Sequence, residues 1–163
     1  MTDFFSADQH FSHKNILKYC HRPFKDVHEM NKTIVDNWNN VVAENDTVYV
    51  LGDVAMHNRA QELQPIVERL KGHKILILGN HDAIKPFDYL TVGFESVHTS
   101  LAYNEDIFLA HDPSIFDCIK NQFQVLLCGH VHGLFIKLAN NRVYNVGVDV
   151  RNFTPVTLEE ILK

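Results

Sequence analysis

Seven side chains of this 163-residue sequence stand where short apolar runs end, and each carries a lone pair that a cation could use. Asp8 and His10 follow Phe4 to Ala7, Asp53 follows Val48 to Gly52, and Asn80 follows Ile75 to Gly79. His111 follows Ile107 to Ala110, while His130 and His132 follow Val125 to Gly129. In open α/β sheets, ligands bind beyond the carboxyl ends of the strands, so five buried strands would deliver these donors to one edge. Two carboxylates, one amide and four imidazoles suit borderline divalent ions: Mn first, with Ni, Fe, Co or Zn as alternatives. An all-oxygen set would suit Mg or Ca instead. Seven donors exceed what one tetrahedral ion takes, and a bridging carboxylate would serve two ions about 3.5 to 4 Å apart. In extended backbone alternate residues share a side, so Asp8 with His10, and His130 with His132, are each expected to face a common site. Gly52, Gly79 and Gly129 would let the chain turn sharply and the ions approach it. Burying seven such groups without a metal would be costly, which weighs against seven unrelated structural residues.

The elements that must position these donors alternate along the chain. Phe4 to Ala7, Thr47 to Leu51, Lys74 to Leu78, Asp106 to Ala110 and Gln124 to Cys128 read as strands. Met30, Ile34, Trp38 and Val41 keep a helical spacing behind a capping pair, Asp26 and Glu29. Leu63, Ile66, Val67 and Leu70 form a second stripe that Gly72 stops, with Pro65 placing its regular part from about Gln64 onward. Leu134, Ile136 and Leu138 alternate before Asn140 and Asn141, and Val143 to Val148 is apolar again, which reads as a hairpin. Thr157 and Glu160 match the cap and third position of a short terminal helix. The expectation is a single α/β domain over residues 1–163 with a mixed sheet.

Composition narrows the setting. A chain that is 45% hydrophobic and 21% charged is ordinary for a globular protein. Cys20, Cys118 and Cys128 form neither a disulfide framework nor a zinc ribbon. No apolar run reaches the roughly 18 residues of a membrane span and no leader pattern opens the sequence, so a cytoplasmic protein with no membrane partner is expected. A net charge of −5 argues against nucleic acid as a partner. The oligomeric state is left open by the sequence. Eleven histidines are a heavy load of the side chain that binds metals most often. His13, Asn15, His21 and Arg22, in the long connection over residues 11–46, could touch a phosphate or decorate a loop, with His13 the first choice for substrate; His57 and Arg59 carry the same two readings. His28, His73 and His98 read as surface or structural, Trp38 as core, and Cys20 as a plain thiol without a partner.

Asp8-x-His10, Gly52-Asp53, Gly79-Asn80-His81-Asp82, His111 and Gly129-His130-Val131-His132 resemble, in order, the five blocks of the calcineurin-like metallophosphoesterases. Phe4 to Ile16 and Asn145 to Leu158 resemble its small bacterial and phage branch. The resemblance implies a four-layer α/β/β/α sandwich with mixed sheets. It implies that Asp8, His10, Asp53 and His132 hold one ion, and that Asp53, bridging, holds the other with Asn80, His111 and His130. It also implies hydrolysis of a phosphoester by hydroxide from an acidified water, with His81 as general acid and Asn80 also touching substrate. A small phosphodiester or cyclic phosphate is the expected substrate. A metal-bearing interaction module without turnover, or a nuclease on polymeric nucleic acid, are the rival readings. Asp112 and Pro113 depart from the small residue many members place after the fourth block, which raises a question about the pocket floor. Asp82 is a candidate to orient His81 or a ligand histidine. Two divalent ions against Asp8 and Asp53 would leave about +2 locally, despite the chain's −5.

Overall fold

The computed structural model describes residues 1–56 and 59–163, so His57 lies outside the described residues. Its first sheet has the order β10 (Val156–Thr157), β1 (Asp3–Ser6), β2 (Thr47–Leu51), β3 (His73–Ile77) and β4 (Ser96–His98). The chain then changes sheets to β5 (Ser100–Ala102), which borders β6 (Ile107–Ala110), β7 (Val125–Cys128), β9 (Val143–Asn145) and β8 (Lys137–Leu138) in that order. β1 to β4 are mutually parallel, as are β6, β7 and β9, while β10, β5 and β8 add antiparallel edges. Both sheets are therefore mixed, as expected.

Alternation along the strands builds the layers. Phe5, Tyr49, Leu51, Ile75 and Ile77 of the first sheet meet Ile107, Leu109, Leu127 and Tyr144 of the second. Their neighbours Phe4, Val48, Val50 and Leu76 point the other way. They pack on α2 (Val27–Val41), α3 (Ala60–Val67) and α4 (Pro86–Thr91) through Met30, Ile34, Trp38, Leu63 and Tyr89. On the far face, Ala110, Leu126, Cys128 and Val143 pack on Ile119 of α5 (Phe116–Ile119). Apolar residues on both faces of the parallel strands are what two flanking layers require, and the result is the four-layer α/β/β/α sandwich.

The five strands start or stop within one residue of their expected limits. Asp26 caps α2 by accepting from the Glu29 N–H at 2.9 Å, but the Glu29 carboxylate accepts from Lys25 rather than from Asp26 itself, at 2.7 Å. α3 begins four residues earlier than Gln64, with Pro65 inside it. Pro65 gives up one backbone bond, and burial of Ala60, Leu63 and Val67 on a single face outweighs that loss. The expected hairpin exists around a left-handed turn, Ala139 to Asn141 (φ 54°, 55° and 61°), yet its first strand is only Lys137–Leu138. Leu134 and Ile136 lie before that strand and face solvent. α6 (Leu158–Leu162) carries the full capping box of Thr157 and Glu160.

Candidate metal centre

The donors stand at the carboxyl ends of β1, β2, β3, β6 and β7, but the backbone that presents several of them is not extended. Asp8, His10, Asp53, His130 and His132 have φ of 59°, 50°, 54°, 71° and 47°. The expectation that pleat alternation pairs them is therefore corrected: single left-handed residues turn the chain back toward the site. Each such residue costs about 1–2 kcal/mol, so the surroundings must hold it there. They do: Asp8 donates its N–H to the Gly52 carbonyl and His10 to the Asp53 carbonyl, both at 3.0 Å. The His130 N–H reaches both Asp8 carboxylate oxygens at 3.0 Å. A Cβ on Gly52 would lie 2.5 Å from His111 Nδ1, and one on Gly79 would lie 2.3 Å from Asp53 Oδ1. These glycines make room for the donor side chains, and Gly52, at φ 84°, also supplies the sharp turn expected of it.

The seven donors converge. Asp53 Oδ2 is 3.5 Å from His10 Nε2 and 3.5 Å from His111 Nε2, midway between two groups of lone pairs. On one side are Asp8, His10 and His132, with ligand atoms within 4.8 Å of one another and the His10 and His132 rings stacked at 5.2 Å. On the other, Asn80 Oδ1 lies 3.0 Å from His111 Nε2 and 2.9 Å from His130 Nδ1, and those two nitrogens are 3.2 Å apart. Asp8, Asp53 and His111 form a further group within 4.8 Å. His10 is 1% exposed, yet neither ring nitrogen has a hydrogen-bond partner. An orphaned buried imidazole aimed at a carboxylate is costly by itself and fits a cation well. The donor set thus suits one or more divalent ions.

Electrostatics follow from the same packing. Burial drives His10 down to about 3, so its ring is neutral and free to ligate. Burial also lifts Asp8 to about 6. Burial works against charge on Asp53 and His111 as well, but their pairing prevails and holds Asp53 at about 2 and His111 at about 9. For His132 the bond to Asp149 overcomes burial and raises it to about 10.

A supporting layer surrounds these groups. Asp149 Oδ2 meets His132 Nδ1 at 2.8 Å. Arg22, 5% exposed, grips Asp149 through Nε (2.8 Å) and a terminal nitrogen (2.9 Å), and donates to the Asp8 and Gln9 carbonyls at 2.7 and 2.8 Å. Arg22 is thus no phosphate contact; its guanidinium is spent inside the fold. Asp82 does not orient a histidine either: its carboxylate accepts from the N–H groups of Asp53, Val54 and Gly79 at 2.8, 3.0 and 2.7 Å, fixing the turn that carries Asp53. Asn145, fully buried, donates to the His132 and Phe135 carbonyls at 2.7 and 2.9 Å. The sequence reading passed over Asn145 and Asp149. Applying the strand-end rule to Val143 to Val148, as to the other runs, would have found Asp149, whereas Asn145 lies inside that run and carries no such signal.

A cleft of about 600 Å³ opens over the centre, lined by His13, Tyr19, His81, His130, His132 and Leu134 among others. His81 is exposed on it; its N–H donates to Asp53 Oδ1 at 2.9 Å and its ring lies 5.6 Å from that of His10. His13 lies 5.5 Å from the His10 ring, and burial lowers its pKa. The first connection therefore forms a wall, with α1 (Ile16–Tyr19), Cys20 and His21 in it, while Asn15 and Arg59 are exposed outside the lining. Cys20 does have partners: its sulfur is within 4.8 Å of ligand atoms of His132 and Asp149. Asp112 caps the turn at Pro113–Ile115 by accepting from Ser114 N–H at 2.8 Å. His73 pairs with Glu95 and His98 with Ser96, while His28 is exposed, all outside the centre.

Two layered mixed sheets with histidines and carboxylates at one strand edge define a metallophosphoesterase-type sandwich. The chain belongs to the calcineurin-like phosphoesterase superfamily, whose family model matches residues 24–152. It is similar to an uncharacterized protein of Methanocaldococcus jannaschii, 36% identical over 96% of this chain and 87% of that one. It is also similar to the gene 66 protein of Mycobacterium phage L5, 27% identical over 89% of this chain and 85% of the phage protein. A crystal structure of a protein of unknown function from Aquifex aeolicus superposes with a TM-score of 0.78 and 26% identity, covering 98% of this chain and 96% of that one.

Proposed function

We propose that the chain hydrolyses a small phosphodiester or cyclic phosphate with two divalent cations, Mn before Ni, Fe, Co or Zn. Asp8, His10, Asp53 and His132 would hold one, and Asp53, Asn80, His111 and His130 the other. The observation that carries this reading is Asp53 Oδ2, equidistant at 3.5 Å from two buried imidazole nitrogens, one on a ring with no other partner. When bound, the cations would supply Lewis acidity that polarises a phosphoester and acidifies water.

The chain's own residues supply the rest. His81 stands exposed at the cleft while its backbone is tied to Asp53, so its ring can reach a departing oxygen and give it a proton. His13 lines the cleft and is held below its usual pKa by burial, so its neutral ring can donate one N–H to a phosphoryl oxygen. Asn80 can share its amide between the centre and the substrate. The test is to load purified protein with each metal and assay bis-p-nitrophenyl phosphate beside the monoester, with metal content measured in parallel. Faster diester cleavage with close to two ions per chain is expected. Well under one ion per chain, with neither ester cleaved, would overturn the proposal.

A further inference from the structure

The cleft has two chemically different walls. Imidazoles of His81, His130 and His132 form the inner one. The outer lips come from opposite ends of the sequence: Tyr19 on α1, and Val131 and Leu134 beyond β7. Ile16, 3% exposed, anchors α1 in the core, and one turn later Tyr19 is left 70% exposed with its ring 6.1 Å from His13. Leu134 across the cleft is 82% exposed. One exposed leucine means little, but apolar side chains from two segments that line one cleft beside a site that gathers cation donors mark a place where something apolar rests.

We propose that Tyr19, Leu134 and Val131 form a subsite for the organic group of the substrate, and that this group is a planar aromatic ring. The inference rests on the phosphoester reading, with phosphorus at the centre and the ring projecting to the lips. Tyr19 lines the cleft with most of its ring exposed and meets the His13 ring in a T-shaped contact, so it offers a further aromatic partner in the same cleft, which favours a flat group over an alkyl chain. Arg22 is committed to Asp149 and two carbonyls, and Arg151 donates to the Asn145 carbonyl at 3.0 Å, so neither guanidinium is offered to a second anionic group of the ligand. The occupant is therefore a singly phosphorylated aromatic group.

Binding of methyl-, hexyl- and phenylphosphonate to the Mn-loaded protein, measured by calorimetry, tests this without turnover. Tyr19 and Leu134 are exposed, so the Tyr19→Ser/Leu134→Ser double variant should fold, and circular dichroism checks that it does. Ring stacking of this kind should make phenylphosphonate bind about tenfold tighter than methylphosphonate, and the double variant should lose most of that advantage. Equal binding of the two, or an advantage that survives in the variant, would overturn the subsite and leave the phosphoester reading standing. Hexylphosphonate binding as tightly as phenylphosphonate would overturn the aromatic assignment. If no phosphonate binds the loaded protein, the subsite falls, while the phosphoester reading falls only if metal content and cleavage of both nitrophenyl esters fail as well.

Discussion

Asp53 Oδ2 lies 3.5 Å from ring nitrogens of both His10 and His111, so the two groups of donors share one oxygen. Replacing Asp53 by Asn removes the charge that both groups of donors share, so metal content after Mn loading should fall below one ion per chain, measured by plasma emission, and hydrolysis should vanish with it. His81→Ala leaves every donor in place. It should keep the metal while kcat drops about a hundred- to ten-thousand-fold, and a variant that also lost its ions would contradict the proton-donor role. The pH behaviour of the chelated chain follows from His111. Its pKa is raised from 6.5 to about 9 by Asp53 against burial, so the stability it contributes is complete below 6.5 and disappears as pH climbs through 9. The chelated protein should therefore melt progressively lower between those limits, read by calorimetry at several pH values. Metal competes with the same proton, so apparent metal affinity should strengthen over that range and uptake should release protons. Donor identities were legible in the sequence because each follows an apolar run. Their left-handed backbone was not, since aspartate and histidine carry no local mark of positive φ comparable to glycine.

Strands and capped helices were readable because period two and period 3.6 are local properties, and the capping box of Thr157 and Glu160 is local too. What escaped was the layer that joins elements distant in sequence. Arg22 sits before α2 and Asp149 after β9, and nothing near either residue announces the ion pair between them. That pair holds His132 and the backbone between Asp8 and His10 at once, so its loss acts through the elements it ties. Asp149→Asn keeps a similar shape and one acceptor oxygen but removes the charge that steadies the His132 ring, and metal affinity should weaken about 10- to 100-fold, as measured by calorimetric titration. Arg22→Met strands a buried carboxylate and should destabilise the fold by about 3–5 kcal/mol in denaturant unfolding. If Asp149→Asn bound metal as tightly as the parent, the pairing would be packing alone.

On the scale of the whole molecule, the donors do not all belong to one sheet. Asp8, His10, Asp53 and Asn80 follow strands of the first sheet, whereas His111, His130 and His132 follow strands of the second. Apolar contacts between Phe5, Leu51, Ile77, Leu109 and Leu127 already press the sheets together, and that packing is why the two sets of strand ends share an edge. Cations bound at the edge would add a second fastening, present only in the folded chain because its members come from five separate strands. A ligand at a hundred times its dissociation constant stabilises the native state by about 2.7 kcal/mol, and for a chain of this size each kcal/mol moves the melting point by about 2–4 °C. Mn-loaded protein should therefore melt about 5–10 °C above the chelated form at pH 7. Asp53→Asn should erase most of that difference, because it removes the oxygen between the two groups of donors. His81→Ala should preserve it, because its ring lies on the cleft and not between the sheets. A loaded protein that melts with the chelated one would mean that the strand ends meet without a cation to join them.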